Sequence, residues 1–248
     1  MIYKYNPIED CYATKKKIYI FRNEIEKFIL KNKNIALLDF GCGNANDCGK
    51  FLISPEYKYI GFDIHIPSLK FAEKNFGNKN VSFCSKVDNK KYDIIIISEV
   101  LEHLKHPMET LKLLNKKLKK NGIILGSVPN GYGLTEIEKF IIHKFGVYSF
   151  ARYIYGFFKE KKKIVNTVPF NRESGHIQFF TLGNLKRVIK NSGLELEYLK
   201  NGSLMGADIT GSTIFRSEIL KRLNTKIADF IPSFLSATWI FKLRKEVK

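Results

Sequence analysis

The sequence predicts an α/β fold: a doubly wound, mostly parallel sheet with helices on both faces and a lid inserted after the fifth strand. Three observations lead there. Short apolar runs alternate with amphipathic stretches from residue 15 to residue 130, the pattern of a parallel sheet built from strand–helix–strand units. Four of the runs end in polar clusters, "DFGCGN", "FDIH", "SEVLEH" and "SVPNGYG", and in such sheets ligands bind beyond the carboxyl ends of the strands. The alternation then loosens over about 131–175, a position from which a segment can cover that edge.

Residues 15–34, "KKKIYIFRNEIEKFILKNKN", place Ile, Phe and Leu at helical spacing among lysines and predict an amphipathic helix. "IALLDFGCG" is an apolar run entering a glycine turn, the first buried strand. "YKYIGFDIH" predicts the second strand, ending at Asp63, "SLKFAEKNF" a helix and "VSFCSKV" the third strand. "KYDIIIISEV" is the fourth, because its four consecutive isoleucines are β-branched and apolar. "METLKLLNKKLKKNG" sets Leu111, Leu114 and Leu118 on one helical face with Gly122 just past its end. "IILGSVPN" is the fifth strand, "TLGNLKRVIKNSG" a helix with a glycine stop, and "LELEYLKNGS" a late strand. The stretch from about 214 is basic and amphipathic, and reads as an appendage rather than a second domain. The expected organisation is one domain over 1–248, with its core at about 15–200, the lid at about 131–175 and a C-terminal extension at about 214–248.

The chain's 248 residues are enough to bury a substantial core, and a hydrophobic fraction of 44% excludes wholesale disorder. A net charge of +18 favours an anionic partner, although lysines on solvated faces account for it equally simply. Cys11, Cys42, Cys48 and Cys84 form no CxxC pair, so neither a zinc knuckle nor a disulfide framework is indicated. The N-terminus lacks the apolar segment of a secretory signal, and no window has the roughly 18 apolar residues of a membrane span. The expected location is cytoplasmic, with peripheral contact at the inner membrane face left open. Phe145, Tyr148, Phe150, Tyr153, Tyr155, Phe157 and Phe158 stand beside "KEKKK". They suit either an interfacial element meeting anionic lipid or a lid with its rings packed inward. "IADFIPSFLSATWIFKLRK" allows the same two readings.

Gly41 and Gly43 let backbone approach a nucleotide closely. Asp39, two residues earlier, would repel a pyrophosphate and attract an ammonium group. S-adenosylmethionine, a cationic cofactor with an α-amino group, fits that loop better than a nicotinamide dinucleotide. Asp63 ends the second strand, where an acid accepts hydrogen bonds from ribose hydroxyls. Simple turn capping is the alternative for both acids.

"ALLDFGCGNANDCGKFL", "YIGFDIHIPSLKFA", "YDIIIISEVLEHLKHPMETLKLLNKKLKKNGIILGSVPNG" and "GHIQFFTLGNLKRVIKNSGLELEYL" together resemble a class I S-adenosylmethionine-dependent methyltransferase over roughly residues 10 to 200. Within that superfamily the chain is similar to the ubiquinone-biosynthesis O-methyltransferase group and to bacterial methyltransferases of surface-glycan and lipid pathways. The resemblance implies a Rossmann-like seven-stranded sheet. It also implies that Asp39, Gly41 and Gly43 line the methionine part of the cofactor and that Asp63 holds the ribose. Cys42, Ile64 and Ser98, at the same strand ends, are expected to complete the cofactor site. Two departures stand out. Ala45 replaces the third small residue of the glycine loop, and "CSKVDN" stands where the family carries an acid near the adenine, which leaves the adenine contacts and the role of Asp88 open.

A helical turn beginning near Glu99 would put Glu99, Glu102 and His103 on one face, at i, i+3 and i+4. Two carboxylates and an imidazole at a water-accessible edge suit a divalent metal such as Mg, Mn or Zn, with His176 of "SGHIQFF" as a fourth ligand. The ubiquinone O-methyltransferases and the small-RNA 3′-terminal 2′-O-methyltransferases are similar in having ExxEH followed by a distant His. That resemblance implies a metal held by Glu99, Glu102, His103 and His176 that orients substrate hydroxyls. Without metal, His103 would act as general base. In the third reading Glu99 contacts cofactor, Glu102 is solvated and His103 caps the turn. Asn130 is a candidate for orienting the acceptor, so the expected catalytic set is His103, Glu102 and Asn130. His106, before Pro107, reads as structural.

The expected function is methyl transfer from S-adenosylmethionine to a hydroxyl of a small-molecule, sugar or lipid-linked acceptor, with metal assistance as an option. An RNA 2′-O-methyltransferase is the alternative that the charge supports, although no separate RNA-binding module is visible. A non-catalytic scaffold on the same fold is the third.

Overall fold

The computed structural model describes residues 12–46, 48–144, 175–206 and 217–246. The lid aromatics from Phe145 to Phe158 and the "KEKKK" run lie outside the described residues.

The described residues begin with α1 (Tyr12–Ile29), β1 (Ala36–Phe40), the short α2 (Gly49–Leu52), β2 (Lys58–Phe62), α3 (Ile66–Phe76) and β3 (Val81–Cys84). It continues through β4 (Tyr92–Ser98), a single 3-10 turn at Leu101–His103, α4 (Pro107–Lys117), β5 (Leu118–Pro129) and α5 (Leu134–Lys144). α6 (Leu182–Lys190), β6 (Leu194–Asn201), α7 (Glu218–Ala228) and β7 (Thr238–Lys245) complete it. Among the described residues seven strands form one sheet in the order β3-β2-β1-β4-β5-β7-β6. β1 to β5 are mutually parallel, and β7 runs antiparallel between β5 and β6. This is the Rossmann-like, mostly parallel sheet that the sequence predicts.

The isoleucine run of β4 explains how the sheet is held. Successive side chains of a strand point to opposite faces. Ile95 and Ile97 therefore join Leu38, Leu111, Leu114, Leu185 and Ile189 under α4 and α6. Ile94 and Ile96 join Phe21, Ile25, Leu37 and Leu125 under α1. A strand buried on both faces has no polar positions to alternate with.

Two boundaries differ from expectation. α4 stops at Lys117, and Leu118 opens β5 instead of ending the helix. Leu118 is fully buried and pairs with Tyr92, and a bulge then carries the register to Ile94 against Ile123. Gly122 is not a helix stop. A Cβ there would meet Leu118 Cδ1 at 2.7 Å and the Asp93 carbonyl at 2.8 Å, so the strand needs glycine at that approach. The larger correction concerns the C-terminal stretch, which supplies an interior strand rather than an extension of the core. Trp239, Ile240, Phe241 and Leu243 are all buried. β7 reads as basic from Lys242, Arg244 and Lys245, yet Lys242 points inward, where its ammonium meets Glu24 at 2.6 Å and Glu197 at 2.9 Å. Among the described residues no helix is long and apolar enough to cross a membrane.

Candidate active site

The glycine loop is tied across the sheet. Gly41 and Cys42 both donate their backbone N–H to the Phe62 carbonyl, at 2.7 and 3.0 Å. Gly41 has φ +79°, and a Cβ on it would come within 2.4 Å of Val100 Cγ2. The backbone therefore passes directly beneath the residue that follows Glu99. Asp63 knits the loop to β2: one carboxylate oxygen accepts from Gly43 N and the other from His65 N, each at 2.8 Å. Each oxygen keeps a further lone pair for a ligand hydroxyl. Ala45, the departure from the family's glycine loop, takes a left-handed φ of +56°. Ile64, next to Asp63, lies 75% exposed on the same edge.

Gly41→Ala combines a strained left-handed φ with the Val100 clash. It is expected to weaken S-adenosylmethionine binding by about tenfold or more, the equivalent of about 1.4 kcal/mol, when measured by calorimetry.

Asp39 is buried behind the loop and accepts a 2.5 Å hydrogen bond from the Tyr59 hydroxyl. Burial, opposed by that bond, pushes its carboxyl up to about 6. The Cys42 thiol is pushed up strongly, first by burial and then by the nearby Asp39 and Asp63 charges. Ser98 Oγ lies 3.0 Å from Ser127 Oγ, and Ser127 in turn donates to the Glu99 carboxylate.

The acid–imidazole cluster forms with three of its four expected members. Among the described residues, Glu102, His103 and His176 bring one ligand atom each within 4.8 Å of one another. Glu99 stands apart. It has a left-handed φ of +55°, and the 3-10 turn begins only at Leu101, so no continuous helical face carries Glu99 with Glu102. Its carboxylate is engaged by Ser127 and lies 3.5 Å from Lys17 Nζ. The distant histidine arrives because the segment from Gly175 to Gln178 is stapled to the turn. The Glu102 carbonyl accepts from Ile177 N at 2.8 Å and Gln178 N at 2.9 Å. The His103 and His176 rings meet edge to face with centroids 5.0 Å apart.

His103 Nδ1 lies 3.0 Å from the Gly175 carbonyl. A carbonyl only accepts, so Nδ1 is the donor in this contact, and in the neutral ring the lone pair lies on Nε2. Nε2 faces Glu102 Oε1 at 3.8 Å. Both carboxyl oxygens of Glu102 are buried without a hydrogen-bond partner. Burial first, then the Glu99 charge, pushes this carboxyl up to about 9.

A methyltransferase-domain family model matches residues 14–199. The chain belongs to the methyltransferase-domain family. Ubiquinone biosynthesis O-methyltransferase of Pelagibacter ubique (strain HTCC1062) is 31% identical over 122 residues, which are 43% of this chain and 49% of that protein. Malonyl-[acyl-carrier protein] O-methyltransferase of Halalkalibacterium halodurans is 33% identical over 110 residues, 39% of this chain and 40% of that one. The chain thus spans about half or less of the length of these two relatives. A ubiquinone biosynthesis O-methyltransferase of Rickettsia bellii (strain OSU 85-389) is 25% identical over a longer stretch, 81% of this chain and 75% of that protein. The fold is shared with an S-adenosylmethionine-dependent methyltransferase from Clostridium acetobutylicum ATCC 824, at a TM-score of 0.57 and 12% identity over 94% of this chain and 92% of that one.

Three further placements matter in this methyltransferase domain. Asn130, expected to orient an acceptor, is a buried clamp instead. Its amide donates to the Phe234 and Ser236 carbonyls, both at 2.8 Å, and its Oδ1 accepts from Tyr132 N at 3.1 Å. Those bonds fasten the end of β5 to the chain ahead of β7 and use both hydrogens of the side-chain amide. His106 occupies the exposed N-cap position of α4. Lys17 was missed. It is buried on α1 with its ammonium toward Glu99. The signal was present, because Ala13, Lys17, Ile20 and Glu24 follow one helical stripe, but a lysine within "KKK" reads as solvated.

Proposed function

We propose that this chain transfers the methyl group of S-adenosylmethionine to a hydroxyl of a small-molecule, sugar or lipid-linked acceptor. The observation that carries the reading is one juxtaposition. The loop of Asp39, Gly41, Gly43 and Asp63 shares a sheet edge with Glu102, His103 and His176, so donor and acceptor chemistry meet there. The names of the relatives, O-methyltransferases of ubiquinone biosynthesis and of malonyl-[acyl-carrier protein], support a hydroxyl or carboxyl oxygen as the nucleophile. The acceptor hydroxyl gives its proton to His103 Nε2, or to solvent where a cation occupies the cluster; its oxygen attacks the methyl carbon in line, the carbon–sulfur bond breaks with its electron pair going to sulfur, and S-adenosylhomocysteine leaves. Such a displacement requires alignment at roughly 3 Å and exclusion of water more than covalent help from the protein.

In this reading Asp39 faces the cofactor's ammonium and Asp63 the ribose hydroxyls, with Cys42, Ile64 and Ser98 beside them. Glu102, His103 and His176 are proposed to hold a divalent cation. The fit rests on the buried Glu102 oxygens, which lack any donor, and on the His103 lone pair held free by Gly175. One carboxylate and two imidazoles suit Zn or Mn better than Mg, which prefers oxygen ligands. A bound cation there would lower the pKa of an acceptor hydroxyl. His103 orients its ring through Gly175, Glu102 supplies charge, and the stapled segment excludes water from the turn.

The test is incubation with methyl-labelled S-adenosylmethionine and fractionated cell extract, with and without EDTA. Label in a lipid or small-molecule fraction supports the reading. Full activity in EDTA removes the cation and leaves His103 Nε2 as the proton acceptor.

Asp39 also sets an expected pH dependence. Its folded pKa, about 6, lies above the ordinary aspartate value of 3.8. Its contribution to stability is therefore complete below about 3.8 and is lost as pH rises through about 6. Cofactor affinity runs the opposite way, since the ammonium needs the carboxylate. Binding should weaken about tenfold for each pH unit below about 6 in wild type, and Asp39→Asn should flatten both trends. Calorimetry and thermal melts from about pH 5 to 8 read them.

A further inference from the structure

Helix α7 has its polarity inverted. The face turned to the protein carries Asn224 and Ala228, both buried. Asn224 is there for its amide, which donates to the Met205 carbonyl at 3.0 Å and accepts from Met205 N at 2.9 Å. Lys16 of α1 fixes the helix from the side, donating to the Thr225 carbonyl at 3.0 Å and to Asp229 at 2.6 Å. The outward face is the apolar one. Ile219 is 78% exposed and Leu223 45%, and beyond the helix Phe230 and Phe234 stand 89% and 61% exposed. Arg222 and Lys226 are exposed on the same face, because positions 219, 222, 223 and 226 follow helical spacing.

This surface shares the edge of the candidate site. The Phe234 carbonyl accepts from Asn130 at the end of β5, and β7 starts at Thr238 opposite Pro129. β6 is parallel to β5 through their common neighbour β7, so Met205, where α7 docks, also follows a strand end on that edge.

We propose that the outer face of α7, continued by Phe230 and Phe234, docks the protein on an anionic lipid surface. Basic residues interleaved with large apolar ones on one helical face are what an interfacial helix presents to acidic headgroups and the acyl boundary beneath them. A second copy of the chain fits less well, since a two-fold contact would bring Arg222 and Lys226 against the same charges of the other copy. The net charge of +18 adds long-range attraction to acidic lipid. Docked this way, the protein turns the edge bearing its glycine loop toward the membrane plane. The surface does not depend on the methyl-transfer reading, and its test uses no turnover.

The experiment is vesicle co-sedimentation of the full chain at about 0.1 M salt. One set of vesicles is neutral phosphatidylcholine, and the other contains about one third phosphatidylglycerol. Binding should be at least about tenfold tighter to the anionic vesicles. Arg222→Gln with Lys226→Gln should weaken it about thirtyfold, from about 1 kcal/mol per basic residue near the surface. Ile219→Ser, Leu223→Ser and Phe230→Ser together should abolish it. All five side chains are exposed, so melting temperature and S-adenosylmethionine binding serve as folding controls and should not change. Equal binding to both vesicle types, or variants that bind like wild type, overturns the proposal. So does a dimer in sedimentation equilibrium that the triple variant dissolves while vesicles capture nothing.

Discussion

Trp239→Ala is expected to destabilise the protein by about 3–5 kcal/mol, or roughly 8–15 °C in melting temperature for a chain of this size. Trp239 is fully buried, stands opposite Val128 in the β5–β7 register and belongs to the cluster under α4 and α6. Its indole N–H also donates to the Ser233 carbonyl at 2.7 Å. Truncation opens a cavity and removes that bond together. Because β7 is flanked on both sides, no edge of the sheet can relax to fill the space. Phe234→Ala, five residues earlier and exposed, should stay within about 0.5 kcal/mol of wild type. Urea denaturation of both variants gives the comparison. Similar midpoints for the two would mean that β7 does not form the interior strand.

Glu102→Gln should change stability and activity in opposite directions. Both carboxyl oxygens are buried without a donor, and burial and the Glu99 charge push this carboxyl far above the ordinary glutamate range. At neutral pH the metal-free wild type must keep a proton on the group or bear the penalty of a buried charge. An amide of the same shape avoids both. The metal-free variant should therefore melt at least about 5 °C higher than wild type in EDTA. Added Zn or Mn should raise the melting temperature of wild type and leave the variant unmoved. Methyl transfer should fall by about two orders of magnitude in the variant. A variant that loses stability in EDTA would show that Glu102 is held by contacts of its own rather than awaiting a cation.

Much of the fold could be read from the sequence because its strands are buried on both faces. Four consecutive isoleucines leave no alternative to an interior strand, and the clusters after β1, β2 and β4 fall on one edge once the strands are parallel. The pairing of the ExxEH turn with His176 was legible only through resemblance, since nothing in the spacing reveals the backbone bonds from Ile177 and Gln178 to Glu102. Glu99 was misplaced because helical spacing was extended through a residue whose backbone is left-handed. Asn130 was misassigned for another reason. Polar residues at strand ends look alike in sequence whether they face a ligand or clamp a loop. Lys17 and Lys242 share one cause, that a lysine buried against a carboxylate looks like a solvated one until its partner is known. Lys242, with Arg244 and Lys245 after it, disguised β7.

The position of β7 bears on how the protein is made. Chains fold from the N-terminus as they emerge from the ribosome, so β3, β2, β1, β4 and β5 can pair while the rest is still being translated. β5 then waits with one side open, and β6 has no neighbouring strand until residues 238–245 arrive and slide between them. A nascent chain that stalls before Thr238 would display the edge of β5, with Ile124 and Val128 on it, as an unpaired strand. Premature stop codons or slow translation ahead of Thr238 would thus yield aggregation-prone chains rather than a trimmed, working protein.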